Sequence, residues 1–227
     1  MSAFKTILRR FGIGRAAPSI APTGPVEPYS YYRPLWPTAA EAVRKNIALL
    51  EQLGVAEPGR IDVDALVSQH QPKHWDGAMD QTIDVLGEWM IDEGLMMPRL
   101  VVLEGEPPRS PIDVLRIVST LATLDAIEAP PLRSCATRNA QNGEPACYLL
   151  TVEGVTGRHE IAFRTDDVDD AALRKLLLAL EASPKGFLAI ADFVFGTVIA
   201  VMDDDALDQV NAAGGGTGEV FVRLHAR

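Results

Sequence analysis

Between residues 38 and 129 apolar side chains recur at helical spacing. Thr38 with Glu41 three residues on reads as a capping box, residues 42–53 carry apolar positions three and four apart, and Gly54 stands where a C-terminal cap belongs. A short helix follows Asp62 and ends before Pro72. Residues 78–94 predict a third helix, with Met79, Ile83, Leu86, Met90 and Ile91 on one face and Asp80, Asp84, Glu88 and Asp92 mostly on the other. Residues 100–103 form a short buried strand. Ser110, Pro111 and Asp113 then supply an N-cap, a first-turn proline and an acid at the positive helix end, opening a helix that the pattern carries to about Glu128.

From Pro130 the period changes. Residues 132–138 and 146–153 predict strands joined through a loop containing Asn142-Gly143, a dipeptide that accepts positive φ in hairpin turns. Residues 158–165 alternate, His159, Ile161 and Phe163 facing one side and Arg158, Glu160 and Arg164 the other. An acid-capped helix spans about 168–182. Residues 187–202 are apolar with a break at Gly196, read as two strands, although periodicity alone also fits a buried helix in the first part. A helix over 206–212 and a strand over 219–225 complete an α+β chain: a helical N-terminal half, then a mainly antiparallel sheet with two or three flanking helices.

The 227 residues are 47% hydrophobic and 23% charged, globular proportions that exclude a disordered or collagen-like chain. The longest weakly charged apolar stretch, residues 186–202, contains Asp192 and is shorter than a bilayer span. Residues 1–37 read as a basic, proline-rich arm or linker. A short amphipathic helix over 1–14 lacks the unbroken apolar run of a secretion signal, and six prolines follow between Ala16 and Pro37. Residues 38–227 read as a single globular domain, with a helical subdomain over 38–129 and a sheet subdomain over 130–227 as its natural division.

Charge is uneven along the chain. Residues 1–36 hold five bases and one acid, whereas the remainder holds sixteen bases against thirty acids, a net −14. Such a body disfavours nucleic acid, whose recognition needs clustered Lys and Arg, and favours a protein partner with a basic surface. The same acidity also serves solubility in a bacterial-type cytoplasmic protein. Two acidic runs, Asp166, Asp167, Asp169 and Asp170, and Asp203, Asp204 and Asp205, precede helices and are candidate partner-binding residues. Neither run has the alternating ligands and central glycine of a calcium loop.

Candidate chemistry is sparse. His70 and His74 are four apart but separated by Pro72, and no further Cys or His completes a zinc set, so neither a metal nor a cofactor is expected. His74, Trp75 and Asp76 place a base, an apolar surface and an acid in one loop. These three, with His159, are the candidates for a distributed catalytic or binding site, Trp75 as a partner contact. Cys135 and Cys147 are equidistant from Gln141. A hairpin centred there would set them opposite each other, yet a cytoplasmic setting predicts two free thiols. The glycine run 214–218 leads from helix to strand, the reverse of a phosphate loop, and no nucleophile elbow or metalloprotease motif is present. The expected function is a non-enzymatic, acidic protein-binding module of the inhibitor, immunity-type or adaptor kind; the alternative is a small soluble hydrolase using His74, Asp76 or His159.

Overall fold

The computed structural model describes residues 36–69, 78–127, 132–139, 146–154, 156–165, 170–180, 186–214 and 219–224. Six helices and seven strands lie among them: α1 (Trp36–Gln52), α2 (Val63–Gln69), α3 (Met79–Asp92), β1 (Leu100–Glu104), α4 (Pro111–Leu121), β2 (Leu132–Arg138), β3 (Cys147–Gly154), β4 (Gly157–Arg164), α5 (Asp170–Leu180), β5 (Phe187–Asp192), β6 (Gly196–Met202), α6 (Asp204–Ala212) and β7 (Val222–Arg223). The class is α+β, and the strands form two antiparallel sheets, ordered β1-β6-β5-β7 and β2-β3-β4. β1 therefore pairs with a strand almost a hundred residues further along, so the four-stranded sheet draws on both halves of the chain.

Local signals set most helix ends. α1 closes through Gly54 at φ +66°, where the Val55 N–H donates to Leu50 O and the Gly54 N–H to Glu51 O, the paired bonds of a glycine-terminated helix. The Asp62 carboxylate accepts from the Ala65 N–H at 2.9 Å to start α2. Two expected ends move. α1 already begins at Trp36, with Pro37 in the first turn where a missing N–H costs nothing, so Thr38 lies inside the helix rather than at its cap. α4 stops at Leu121, seven residues short of Glu128: beyond it Leu124 and Ala126 are buried through tight turns that keep the apolar spacing without continuing the helix.

The four-stranded sheet is covered on both faces. Leu100, Ala189, Ala191, Val198, Ala200 and Met202 pack against α1, α2, α3 and α6. Val101, Leu103, Leu188, Ile190, Ile199 and Val201 pack against α4, α5 and the inner face of the second sheet, which presents Tyr148, Leu150, Val152, Ile161 and Phe163. Two-sided burial explains why residues 187–202 are apolar without alternation: every residue of β6 is buried, and these are the two strands read from the Gly196 break.

The β2–β3 register corrects the cysteine geometry. From Ser134 onward the pairs are symmetric about the Asn142–Gly143 bond, so Cys135 faces Leu150 and Cys147 faces Arg138. The two thiols project to opposite faces of the sheet, and both are free. Burial pushes the half-buried Cys135 thiol above its ordinary pKa, away from the reactive thiolate. The last strand, expected over 219–225, has only two ladder residues.

On α3, partial burial, with the negative charges of Glu88 and Asp80 beside it, raises the pKa of Asp84. The folded protein thus holds this proton more tightly than the unfolded chain, and stability falls as pH climbs from the ordinary aspartate range through the raised value. Asp84→Asn is expected to melt about 2 °C higher at pH 7. A pH series of thermal melts should show the gain closing below the ordinary aspartate range.

Candidate functional site

Among the described residues a groove of about 510 Å³ runs beside β1, between the C-terminal end of α3 and the length of α4. Its α3 wall exists because Gly94, at φ +60°, ends the helix and turns the chain back, the Leu95 N–H donating to Met90 O. Met90, Ile91, Leu95 and Met96 line that wall, and Met96 stays 48% exposed. The α4 wall contributes Ile117 and Thr120. It is fixed at its start by Ser110, whose hydroxyl accepts from the Asp113 N–H at 3.3 Å and donates to the Asp113 carboxylate at 3.0 Å. The Tyr148 hydroxyl anchors the same rim from below, donating to Arg109 O at 2.7 Å.

The floor is the edge of the four-stranded sheet. Among the described residues β1 pairs with β6 on one side only, and the bonds from the Val201 N–H to Arg99 O and from the Gly105 N–H to Phe195 O fix which residues point inward. By alternation Arg99, Val101, Leu103 and Gly105 face β6, while the N–H and C=O groups of Leu100, Val102 and Glu104 face outward. Leu100 exchanges its pair with Met97 in a local turn. No described residue takes the outward backbone groups of Val102 and Glu104, both of which line the groove.

Charges rim the groove in pairs. Arg109 meets Glu106 at 2.7 Å, and Arg116 lies 3.6 Å from Asp113. The Ser110 hydroxyl bond holds the Asp113 carboxyl below its ordinary pKa, helped by the Arg109 N–H and the Arg116 charge. Among the described residues Glu104 has no ion-pair partner, and its exposed carboxylate makes the rim net negative.

Of the residues singled out from sequence, His159 and Asp203–Asp205 lie among the described residues with side chains, and they do not meet in one place. His74, Trp75 and Asp76 lie outside the described residues, with His70, and so do Asp166, Asp167 and Asp169; Asp170 opens α5, its side chain likewise outside. His159 is half-buried on β4, its Nε2 2.9 Å from the Thr156 hydroxyl, on the far side of the four-stranded sheet from α6. Asp203 caps α6, accepting from the Ala206 N–H at 2.8 Å. Asp204 pairs at 2.8 Å with Arg223, whose guanidinium also lies 3.8 Å over the Phe187 ring, and Asp205 is exposed in the first turn. Much of this acidic run is engaged in holding α6 and the last strand. Among the described residues no three His, Cys, Asp or Glu side chains gather as a metal centre would need, and no helix is long and apolar enough to cross a membrane.

The groove itself escaped the sequence reading. Its side chains come from three elements, and nothing in Leu100–Glu104 announces that this strand sits at an edge. The one local signal is Pro107-Pro108, three residues past the strand's end, which blocks further ladder pairing. No protein-family model matches the chain, and no curated protein or solved structure matches it either.

Proposed function

We propose that the chain is a non-enzymatic, acidic protein-binding module, of the inhibitor, immunity-type or adaptor kind, that receives its partner in the groove beside β1. The groove is the observation that carries this reading: a trough with apolar side chains at its centre and charged groups at its rim has the make-up of a surface that takes another chain's side chains. The excess of 31 acids over 21 bases, and Glu104 with no ion-pair partner among the described residues, favour a basic partner.

Panning the purified full chain at low salt against a phage-displayed random peptide library tests the proposal. The expected result is a family of enriched peptides whose binding weakens with added salt and is lost in Met96→Lys, a change at an exposed position that should leave the melting temperature intact. Enrichment no better than for an unrelated acidic protein, or peptides indifferent to Met96→Lys, would remove the groove from consideration.

A further inference from the structure

Resting on the groove as a protein-binding site, we infer how the partner is held: an extended segment of another protein adds as a strand to the open edge of β1, with a basic side chain placed over Glu104. Three observations converge. The outward N–H and C=O groups of Val102 and Glu104 are two donors and two acceptors at the alternate positions that a paired strand requires. A helix laid in the groove would leave them unmatched, because its own backbone groups are already bonded internally. Secondly, Val102 and Leu103 direct their side chains to opposite faces of the sheet, one joining the cluster beside α3 and the other the cluster beside α4. A strand added to this edge continues both faces, so its alternate side chains descend toward Met96 on one side and Ile117 on the other. Thirdly, among the described residues Arg109 and Arg116 already have carboxylate partners and Glu104 does not, so a Lys or Arg of the incoming strand completes the charge pairing.

The edge is also short enough to be selective. Met97 closes it at Leu100, and Gly105 begins a loop that runs into Pro107 and Pro108, leaving Val102–Glu104 as the stretch open among the described residues. That restricts strand addition to a few residues and protects the protein from indiscriminate edge pairing with its own copies.

An N-methyl scan of the groove-binding peptides obtained by panning tests this on the full chain. Strand addition predicts periodicity of two: methylating every second peptide amide should weaken binding about tenfold or more, and methylating those between should cost less than about threefold. Glu104→Pro deletes the outward N–H together with the carboxylate but no bond to β6, and should weaken binding about tenfold beyond Glu104→Gln while the protein stays folded by thermal melt. Glu104→Gln keeps that N–H and should lower only the preference for peptides carrying Lys or Arg. Val102→Pro provides a second edge block should Glu104→Pro fail to fold. Peptides that need Met96 yet show a flat N-methyl profile, or an apolar spacing of three and four, would overturn strand addition while leaving the groove as the binding site. Failure to obtain groove-dependent peptides would overturn the protein-binding reading and strand addition with it. Displacement of the selected peptides by a synthetic peptide of residues 1–35 would reassign the edge to the chain's own segment.

Discussion

Gly196→Ala is expected to destabilise the protein by about 3 kcal/mol, enough to shift its urea midpoint far below that of the parent. Gly196 opens β6 at φ +155°, a backbone conformation that residues with a Cβ rarely adopt. It lies opposite Glu104 in the ladder, and a Cβ built on it would overlap the carbonyl oxygen of Leu103 and stand 2.9 Å from the Gly105 nitrogen. Both are backbone atoms held in place, Gly105 by its N–H donating to Phe195 O at 2.8 Å and Leu103 by its register with Thr197. No rotamer change relieves the overlap; β1 and β6 must separate. The strain falls where the hairpin turn from Phe193 to Gly196 meets the edge strand, so the floor of the groove should be disturbed with it. Val194→Ala, two residues earlier in the turn and 83% exposed, is the control and should change stability by less than about 0.5 kcal/mol. Equal midpoints for Gly196→Ala and the parent would show that the sheet accommodates a side chain at this crossing.

Phe221→Ala should cost about 3–5 kcal/mol, the range for emptying a fully enclosed aromatic site. Phe221 is fully buried in the cluster shared with α1, α2 and α3, although it belongs to a segment with only two ladder residues. The side chain of Asn211 on α6 makes up the deficit. Its amide N–H donates to Phe221 O at 3.0 Å, and its Oδ1 accepts from the Phe221 N–H at 2.9 Å, as a neighbouring strand would. The Leu224 N–H then donates to Leu188 O at 2.9 Å. Asn211→Asp retains the acceptor but sets a carboxylate oxygen against the Phe221 carbonyl, and should cost about 1–3 kcal/mol. Because Asn211 holds the backbone that carries the Phe221 ring into the core, its loss should cost less once the ring is gone, and the double variant should lose less than the two single losses combined. Urea titrations of the four proteins measure the cycle. Strict additivity would mean that the Asn211 bonds to the residue-221 backbone do not help seat the Phe221 ring in the core.

Groups acting over a few residues were legible because their causes are local. Gly54 ends α1 and Gly94 ends α3 through left-handed backbone that glycine adopts freely, Ser110 caps α4, and alternation in 158–165 put Ile161 and Phe163 on the buried face of β4. Where a signal admitted two placements, distant packing chose. Thr38 reads as a helix start, and α1 begins two residues before it, at Trp36. The spacing of Leu124 and Ala126 fits a helix, yet those residues reach the core through turns. Cys135 and Cys147 fit a facing pair until the register, symmetric about Asn142-Gly143, set them on opposite faces.

The candidate site divides along the same line. The acidic balance of the body and the position of each acid before a helix are properties of the sequence, and Asp203 performs the capping that its position implies. That Asp204 is drawn to Arg223 and that Glu104 is left without an ion-pair partner among the described residues depends on strands brought together from remote parts of the chain. By itself the sequence determined the class of fold, most element positions, and an acidic surface. The tertiary structure alone decided that β1 is an edge strand and that a groove opens beside it, because backbone hydrogen bonding saturates in pairs. Once β6 took the inward groups of β1, its outward groups at Val102 and Glu104 were left facing the groove.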